Sequence, residues 1–204
     1  MNPLATTFAP GQRDRRSVPE QHTEVARPAP VIKAPMTRRD FAWYRMDTEK
    51  NLMVINSILL FEGAVNMQRL ISTIAHRLPN YPRFTQKIIS KFGAPFWVED
   101  NAFNITNHIE LESATEDTTK EALQARLTDM AHLPLDTNRP MWHMTVIDRV
   151  NGGYAIVFRV HHCVTDGLGL VHVLNHLTDD NDNHGRTPSR VGHPLVAEAV
   201  RPLV

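Results

Sequence analysis

A single cysteine, Cys163, stands in a chain of 204 residues, so no internal disulfide framework exists and a reducing compartment is the natural setting. Net charge is missing as well: 22 basic residues balance 22 acidic ones. That balance removes the field a nucleic-acid partner would need, and no Lys/Arg block is long enough for a polybasic membrane anchor. No apolar run approaches the ~18 residues of a membrane span. The opening stretch MNPLATTFAPGQRDRR has no apolar core of signal-peptide length. Together these absences predict a cytoplasmic protein, soluble or peripheral to a membrane or lipid inclusion. With 42% hydrophobic residues the chain can bury one core, and one domain is expected.

Residues 1–35 carry six of the 14 prolines among Arg, Glu, Gln and Thr with no periodicity, which predicts a disordered Pro-rich tail. Residues 36–178 form the predicted domain. LMVINSILLFEG reads as a buried strand closed by Gly63. Asn66 is placed to cap a helix whose apolar positions are Met67, Leu70, Ile71, Ile74 and Leu78, with Pro79 stopping it. APFWVEDNAFNITNHIEL, from Ala94 to Leu111, reads as two short strands around a turn at Asp100 and Asn101. Thr118 with Glu121 has the form of a capping box ahead of a second amphipathic helix through Leu123, Leu127, Met130 and Ala131. WHMTVIDR and YAIVFRV flank Asn151-Gly152, a hairpin signal. A third helix runs through Leu170, Val173, Leu174 and Leu177. Residues 179–204 show no pattern and read as an irregular tail. Strands interleaved with helices predict an α/β or α+β layered domain.

The hairpin delivers RVHHCVTDG, which reads HHxxxDG, to its open end. Adjacent side chains of an extended backbone face opposite sides, so of His161 and His162 one can do chemistry while the other holds the loop. Histidine titrates closest to neutrality, which makes general base catalysis the candidate chemistry. The plainer account is that two histidines finish a strand while Asp166 and Gly167 cap and start a helix. Cys163 as a nucleophile is disfavoured, because its neighbour His162 diverges from it and free cysteine is commonly a small buried hydrophobe. His172 and His176 have the i, i+4 spacing of a zinc pair, with Asp179 or His184 as further ligands. Their polar stripe reads better as a solvated helix face, so no metal is expected. Phe96, Trp97 and Trp142 are expected in the core.

The motif resembles the bacterial wax ester synthase/diacylglycerol acyltransferase family when taken with NLM (Asn51 to Met53), PFWVED (Pro95 to Asp100) and LPLDTNRPMW (Leu133 to Trp142). That family belongs to the chloramphenicol acetyltransferase-like superfamily, which also holds the condensation domains of nonribosomal peptide synthetases. The resemblance runs from about Met36 to about Leu177. HHxxxDG alone names only the superfamily, and the flanking blocks favour the lipid branch over transfer from carrier-protein-bound acyl groups.

The resemblance implies a mixed sheet covered by helices, equivalent to the first half of the superfamily fold. It also implies an O-acyltransferase that moves a fatty acyl group from acyl-CoA, its co-substrate, to a long-chain alcohol or diacylglycerol, with no other cofactor. His162 would be the general base, and His161 would orient the loop. Asp166 would be a structural anion paired with arginine, for which Arg159 and Arg149 are candidates. Gly167 would permit close backbone approach at a helix start, where free N–H groups favour developing negative charge. The matching region corresponds to one half of the family fold, with the substrate tunnel between halves. A second-half subunit or another copy of the chain is therefore an expected partner. The alternative is a catalytically incomplete half-domain that binds acyl-CoA or lipid.

Overall fold

The computed structural model describes residues 32–114 and 116–178 of the chain. Strand β1 (Ile32–Pro35) opens it, and helix α1 (Arg38–Met46) follows, capped by Thr37 Oγ1 accepting from Asp40 N at 3.1 Å. Strand β2 (Val54–Glu62) is followed by α2 (Met67–Arg77), where Asn66 Oδ1 accepts from Arg69 N at 2.9 Å. Pro79 falls in a 3-10 turn, Leu78–Asn80, just past the helix it was expected to stop. Next come β3 (Gln86–Lys91), β4 (Ala94–Glu99), β5 (Ile109–Glu112), α3 (Lys120–Ala131), β6 (Trp142–Val150), β7 (Gly153–His161) and α4 (Gly167–Thr178).

The strands form two sheets. The larger has the order β2-β7-β6-β5 and is mixed, because β5 runs parallel to β6 while the other pairs are antiparallel. The smaller, β1-β4-β3, is antiparallel throughout. Both hairpins turn on two residues of positive φ, the geometry that matches strand twist: Asn151 (49°) and Gly152 (76°) in one, Phe92 (53°) and Gly93 (75°) in the other.

Strand β7 is central and covered on both faces, so Ala155 to His161 are all buried and its sequence reads as a continuous apolar run. On one face Trp142, Met144, Val146, Ile156, Phe158 and Val160 pack with Ile74 of α2 and Leu170, Val173 and Leu174 of α4. On the other, Leu123 and Met130 of α3 cover Ile147, Val150, Ala155 and Val157. Trp142 ties the layers together: its Nε1 donates to Phe84 O at 2.8 Å, and His108 stacks on its ring at 4.4 Å. This is the α/β layered architecture expected, a mixed sheet covered by helices.

Several local expectations are corrected. Ile32–Pro35, the end of the segment read as a tail, pairs as β1 with β4 because its backbone completes the small sheet. The cap of α3 is Thr119, accepting from Ala122 N at 3.2 Å; Thr118 instead donates its amide to Arg149 O at 2.6 Å, one residue too early for the helix. The two strands within 94–111 lie in different sheets, separated by a 3-10 turn at Ile105–Asn107. Helix α1 and strand β3 were not anticipated. Among the described residues no helix is long and apolar enough to cross a membrane. The segment read as a C-terminal tail, like residues 1–31, lies outside the described residues.

Gly153 opens β7 where the chain leaves no room for a side chain, since a Cβ there would sit 1.9 Å from Phe61 O of the paired strand. Gly153→Ala is expected to destabilise the protein by about 3 kcal/mol, the upper end of overpacking costs, read as a lowered urea midpoint at unchanged slope.

Candidate active site

Four backbone hydrogen bonds fix the HHCVTDG loop. His161 N donates to Met141 O at 3.0 Å, His162 N to Met53 O at 2.7 Å, Val164 N to His161 O at 2.9 Å, and Leu170 N to Asp166 O at 2.9 Å. The loop therefore runs from the end of β7 to the start of α4 with both flanks and the beginning of β2 holding it. Register places Val54 of β2 opposite His161.

His161 is 2% exposed. Cys163 N donates to its Nδ1 at 3.0 Å, so that nitrogen is unprotonated and the neutral ring carries its hydrogen on Nε2. That nitrogen faces Asp47 Oδ1 at 3.6 Å, longer than a hydrogen bond. Burial pushes the His161 pKa below its ordinary value; the Asp47 carboxylate opposes this, and neighbouring His162 adds to it. His161 is thus a neutral, buried anchor.

His162 points the other way, half-buried at a cleft of about 280 Å³ lined by Arg39, Asp40 and Trp43 of α1 and by residues 162–166. Its ring stacks on Trp43, with centroids 3.9 Å apart and planes at 21°. Its Nδ1 is buried and makes no hydrogen bond, which leaves Nε2 as the nitrogen a ligand in the cleft can reach. The divergence expected of adjacent histidines at a strand end is realised: one meets Asp47, the other the cleft.

Asp166 lies at the same cleft and caps α4, its Oδ1 accepting from Gly169 N at 2.8 Å. The expected arginine partner is absent among the described residues. Arg159, buried at 4% exposure two residues before the end of β7, gives its guanidinium to Asn56 Oδ1 at 3.1 Å and to Leu133 O. Arg149 sits in the bulge at the closed end of the hairpin, at the opposite end of the strand pair from the motif. What Asp166 engages instead is the start of α4, which supplies its own donors.

At Gly167 the surrounding chain imposes no steric demand of its own. A Cβ there would meet nothing within 4 Å, whereas one at Gly169 would lie 2.3 Å from Thr165 Oγ1 and 3.2 Å from Asp166 Oδ1. Gly169 is the glycine that the capped turn needs. Cys163 is 3% exposed and burial pushes its thiol well up, so it is a packed hydrophobe and no thiolate nucleophile. His176 Nδ1 pairs with Tyr81 OH at 3.1 Å, and Tyr81 also meets His172 edge-on. Asp179 and His184, raised as further metal ligands, lie outside the described residues, among which no cluster of three metal-binding side chains occurs.

Trp43, Tyr44 and Asp47, all contributed by α1 or its C-terminal cap, are the site residues that sequence reasoning missed. The available signal was Thr37 with Asp40, a cap and first-turn acid three residues apart.

Two measurements check this geometry. Asp166→Ala is expected to cost about 1 kcal/mol and Asp166→Asn only a few tenths, since an amide oxygen still caps; equal loss in both would indicate a charge pair. His161, His108 and His143 all have pKa values lowered first by burial. The folded state keeps them neutral while the unfolded chain takes up protons near pH 6.5. Their stabilisation is thus complete above about pH 6.5 and is lost as pH falls toward the depressed folded values. Urea titrations at stepped pH should show this decline, with a shallower slope in His161→Gln.

Residues 36–200 match the wax ester synthase/diacylglycerol acyltransferase catalytic domain. A Mycobacterium tuberculosis protein described as the probable diacylglycerol O-acyltransferase tgs1 is 29% identical over 134 residues, 63% of this chain and 29% of that protein. The probable diacylglycerol O-acyltransferase tgs3 of the same organism is 26% identical over 149 residues, 68% of this chain and 55% of that protein. The solved wax ester synthase/diacylglycerol acyltransferase from Marinobacter aquaeolei VT8 superposes with a TM-score of 0.62 at 22% identity, covering 76% of this chain and 41% of that one. The starter condensation domain of rhizomide synthetase RzmA shares the fold, with a TM-score of 0.59 at 14% identity over 71% of this chain and 37% of its own. The chain thus spans from under a third to about half the length of these relatives. With the motif, its flanking blocks and a match over most of its residues, the chain belongs to the wax ester synthase/diacylglycerol acyltransferase family.

Proposed function

We propose that this chain carries the base-bearing half of an O-acyltransferase that moves a fatty acyl group from acyl-CoA to a long-chain alcohol or diacylglycerol. The observation that carries the reading is the second motif histidine, turned to a cleft with its Nδ1 buried and Nε2 left for a ligand. His162 Nε2 takes the proton of the acceptor hydroxyl as that oxygen attacks the thioester carbonyl. The new C–O bond forms, the C–S bond breaks, and the imidazolium returns its proton to the departing coenzyme A sulfur. No covalent acyl-enzyme is needed, in keeping with an inert Cys163. His161 and Asp166 hold the loop from either end, one as a buried neutral ring and the other as the cap of α4. Gly167 N–H and its neighbours at the start of α4 supply the dipole that favours charge on the thioester oxygen.

Acyl-CoA as donor is supported by a related fold: the RzmA starter condensation domain has been solved in complex with C8-CoA. An apolar acceptor is supported by α4, where Leu168 is 85% and Val171 49% exposed directly after the motif. On this reading the protein works in the cytoplasm against a lipid surface.

A second half of the fold completes the site. A cleft of about 280 Å³ is below the ~300–1,000 Å³ in which even drug-sized ligands are enclosed, and an acyl-CoA is larger. The other wall comes from a second half of the family fold, as a separate subunit, another copy or a further segment, which would exclude water and hold the thioester in reach. The same observation favours a second reading, a half-domain that binds acyl-CoA or lipid without turnover.

Purified chain, alone and with a candidate second-half subunit, should convert acyl-CoA and a long-chain alcohol or diacylglycerol to ester. His162→Ala should lower that rate by about 10²- to 10⁴-fold. Equal product from the variant would remove His162 as base, and acyl-CoA binding without turnover in either setting would favour the half-domain.

A further inference from the structure

We infer that Trp43 is a positioning residue for His162: its indole fixes the plane of the imidazole at the cleft and stabilises the imidazolium that proton abstraction creates. The inference rests on His162 acting as base.

An imidazole base is ordinarily oriented by a hydrogen bond to its second nitrogen. His162 has none, since its Nδ1 is buried and unpartnered. The charged groups sharing the cleft, Arg39, Asp40 and Asp166, make no hydrogen bond to the ring. What touches it is an indole face at 3.9 Å, only 21° from parallel. Such a contact blocks rotation out of plane by excluded volume. It is also selective for charge: the negative face of an indole attracts a cation far more than a neutral ring. Stabilisation therefore grows as the proton transfers, the condition for accelerating chemistry rather than tightening binding.

The indole is itself held in place. At the N-terminal end of α1, Met36 N donates to Pro95 O at 3.1 Å and Thr37 caps the first turn. At the C-terminal end, Asp47 Oδ1 accepts from Met53 N at 2.6 Å, and Tyr44 leans on His161 with ring centroids 6.3 Å apart. A helix clamped at both ends presents Trp43 to a loop anchored to the same residue, Met53.

The test compares Trp43→Leu, which keeps apolar bulk without a π face, with Trp43→Phe, which keeps both. In NMR spectra of the full chain the His162 ring protons should be shifted upfield by the indole ring current, return toward ordinary positions in the Leu variant, and stay shifted in the Phe variant. Turnover, measured with the second-half subunit where it is required, should fall about 10-fold in kcat for Leu with KM unchanged, and by less than about 3-fold for Phe. Identical ring-proton positions in wild type and Trp43→Leu overturn the inference. So does an unchanged kcat in Trp43→Leu when His162→Ala is inactive. Unchanged turnover in both His162→Ala and Trp43→Leu removes the base assignment as well.

Discussion

The peptide units on either side of Met53 hold the site together. The Met53 amide donates to Asp47 at the end of α1, and its carbonyl accepts from His162 at the end of β7. One residue thus couples the helix that covers the motif to the strand that carries it. The coupling is possible because β2 pairs with β7 along its whole length, from Val54 opposite His161 to Glu62 opposite Gly153. A slip of one residue would turn every β2 side chain to the other face and move Met53 away from the loop. The glycine at 153 and the Asn151-Gly152 turn hold that register from the far end.

Given that frame, the two histidines differ in how their ring nitrogens are engaged. His161 accepts at Nδ1 and so keeps its hydrogen on Nε2, toward Asp47. A base working through Nε2 needs the reverse arrangement, with hydrogen on Nδ1, and in His162 that nitrogen is buried without an acceptor. An unpaired buried polar atom costs about 1–3 kcal/mol. Native proteins retain such a cost mainly at functional positions. Both imidazoles come from one dipeptide and each keeps one buried nitrogen without a hydrogen bond, Nε2 of His161 facing Asp47 and Nδ1 of His162 behind a ring that borders the cleft.

Much of this was legible in the sequence, for identifiable reasons. The β6–β7 hairpin and α4 were readable because Asn-Gly marks the turn and Leu170, Val173 and Leu174 repeat at helical spacing. The Asn66 cap and the stripe of α2 followed in the same way. Helix α1 was not, because none of its residues is buried and its mean composition is polar; its position depends on tertiary contacts of Trp43 and Tyr44 with the motif. The arginine expected for Asp166 failed for a related reason. Arg159 alternates onto the same face of β7 as Ala155 and Val157, the face covered by α3, where Asn56 and Leu133 O meet it before it could turn to the cleft. Within the chain the steric demand for a glycine lies at Gly169, where the capped turn closes.

The site is built more completely on one side than on the other. Toward the interior, His161, Cys163 and Val164 are packed against Met141, Trp142 and α4, and their backbone donors are paired. Toward the cleft, His162 is half-exposed and Leu168 projects outward from the first turn of α4. If His162 is the proposed base for an alcohol, with water as the competing nucleophile, it gains from exclusion of water as well as from orientation. Trp43 shields one face of the imidazole, but Nε2 remains in reach of solvent. On the proposed reading, the apolar residues at the rim and a cleft too small for a coenzyme form one side of a site whose second surface would supply the remaining contact and the dryness together.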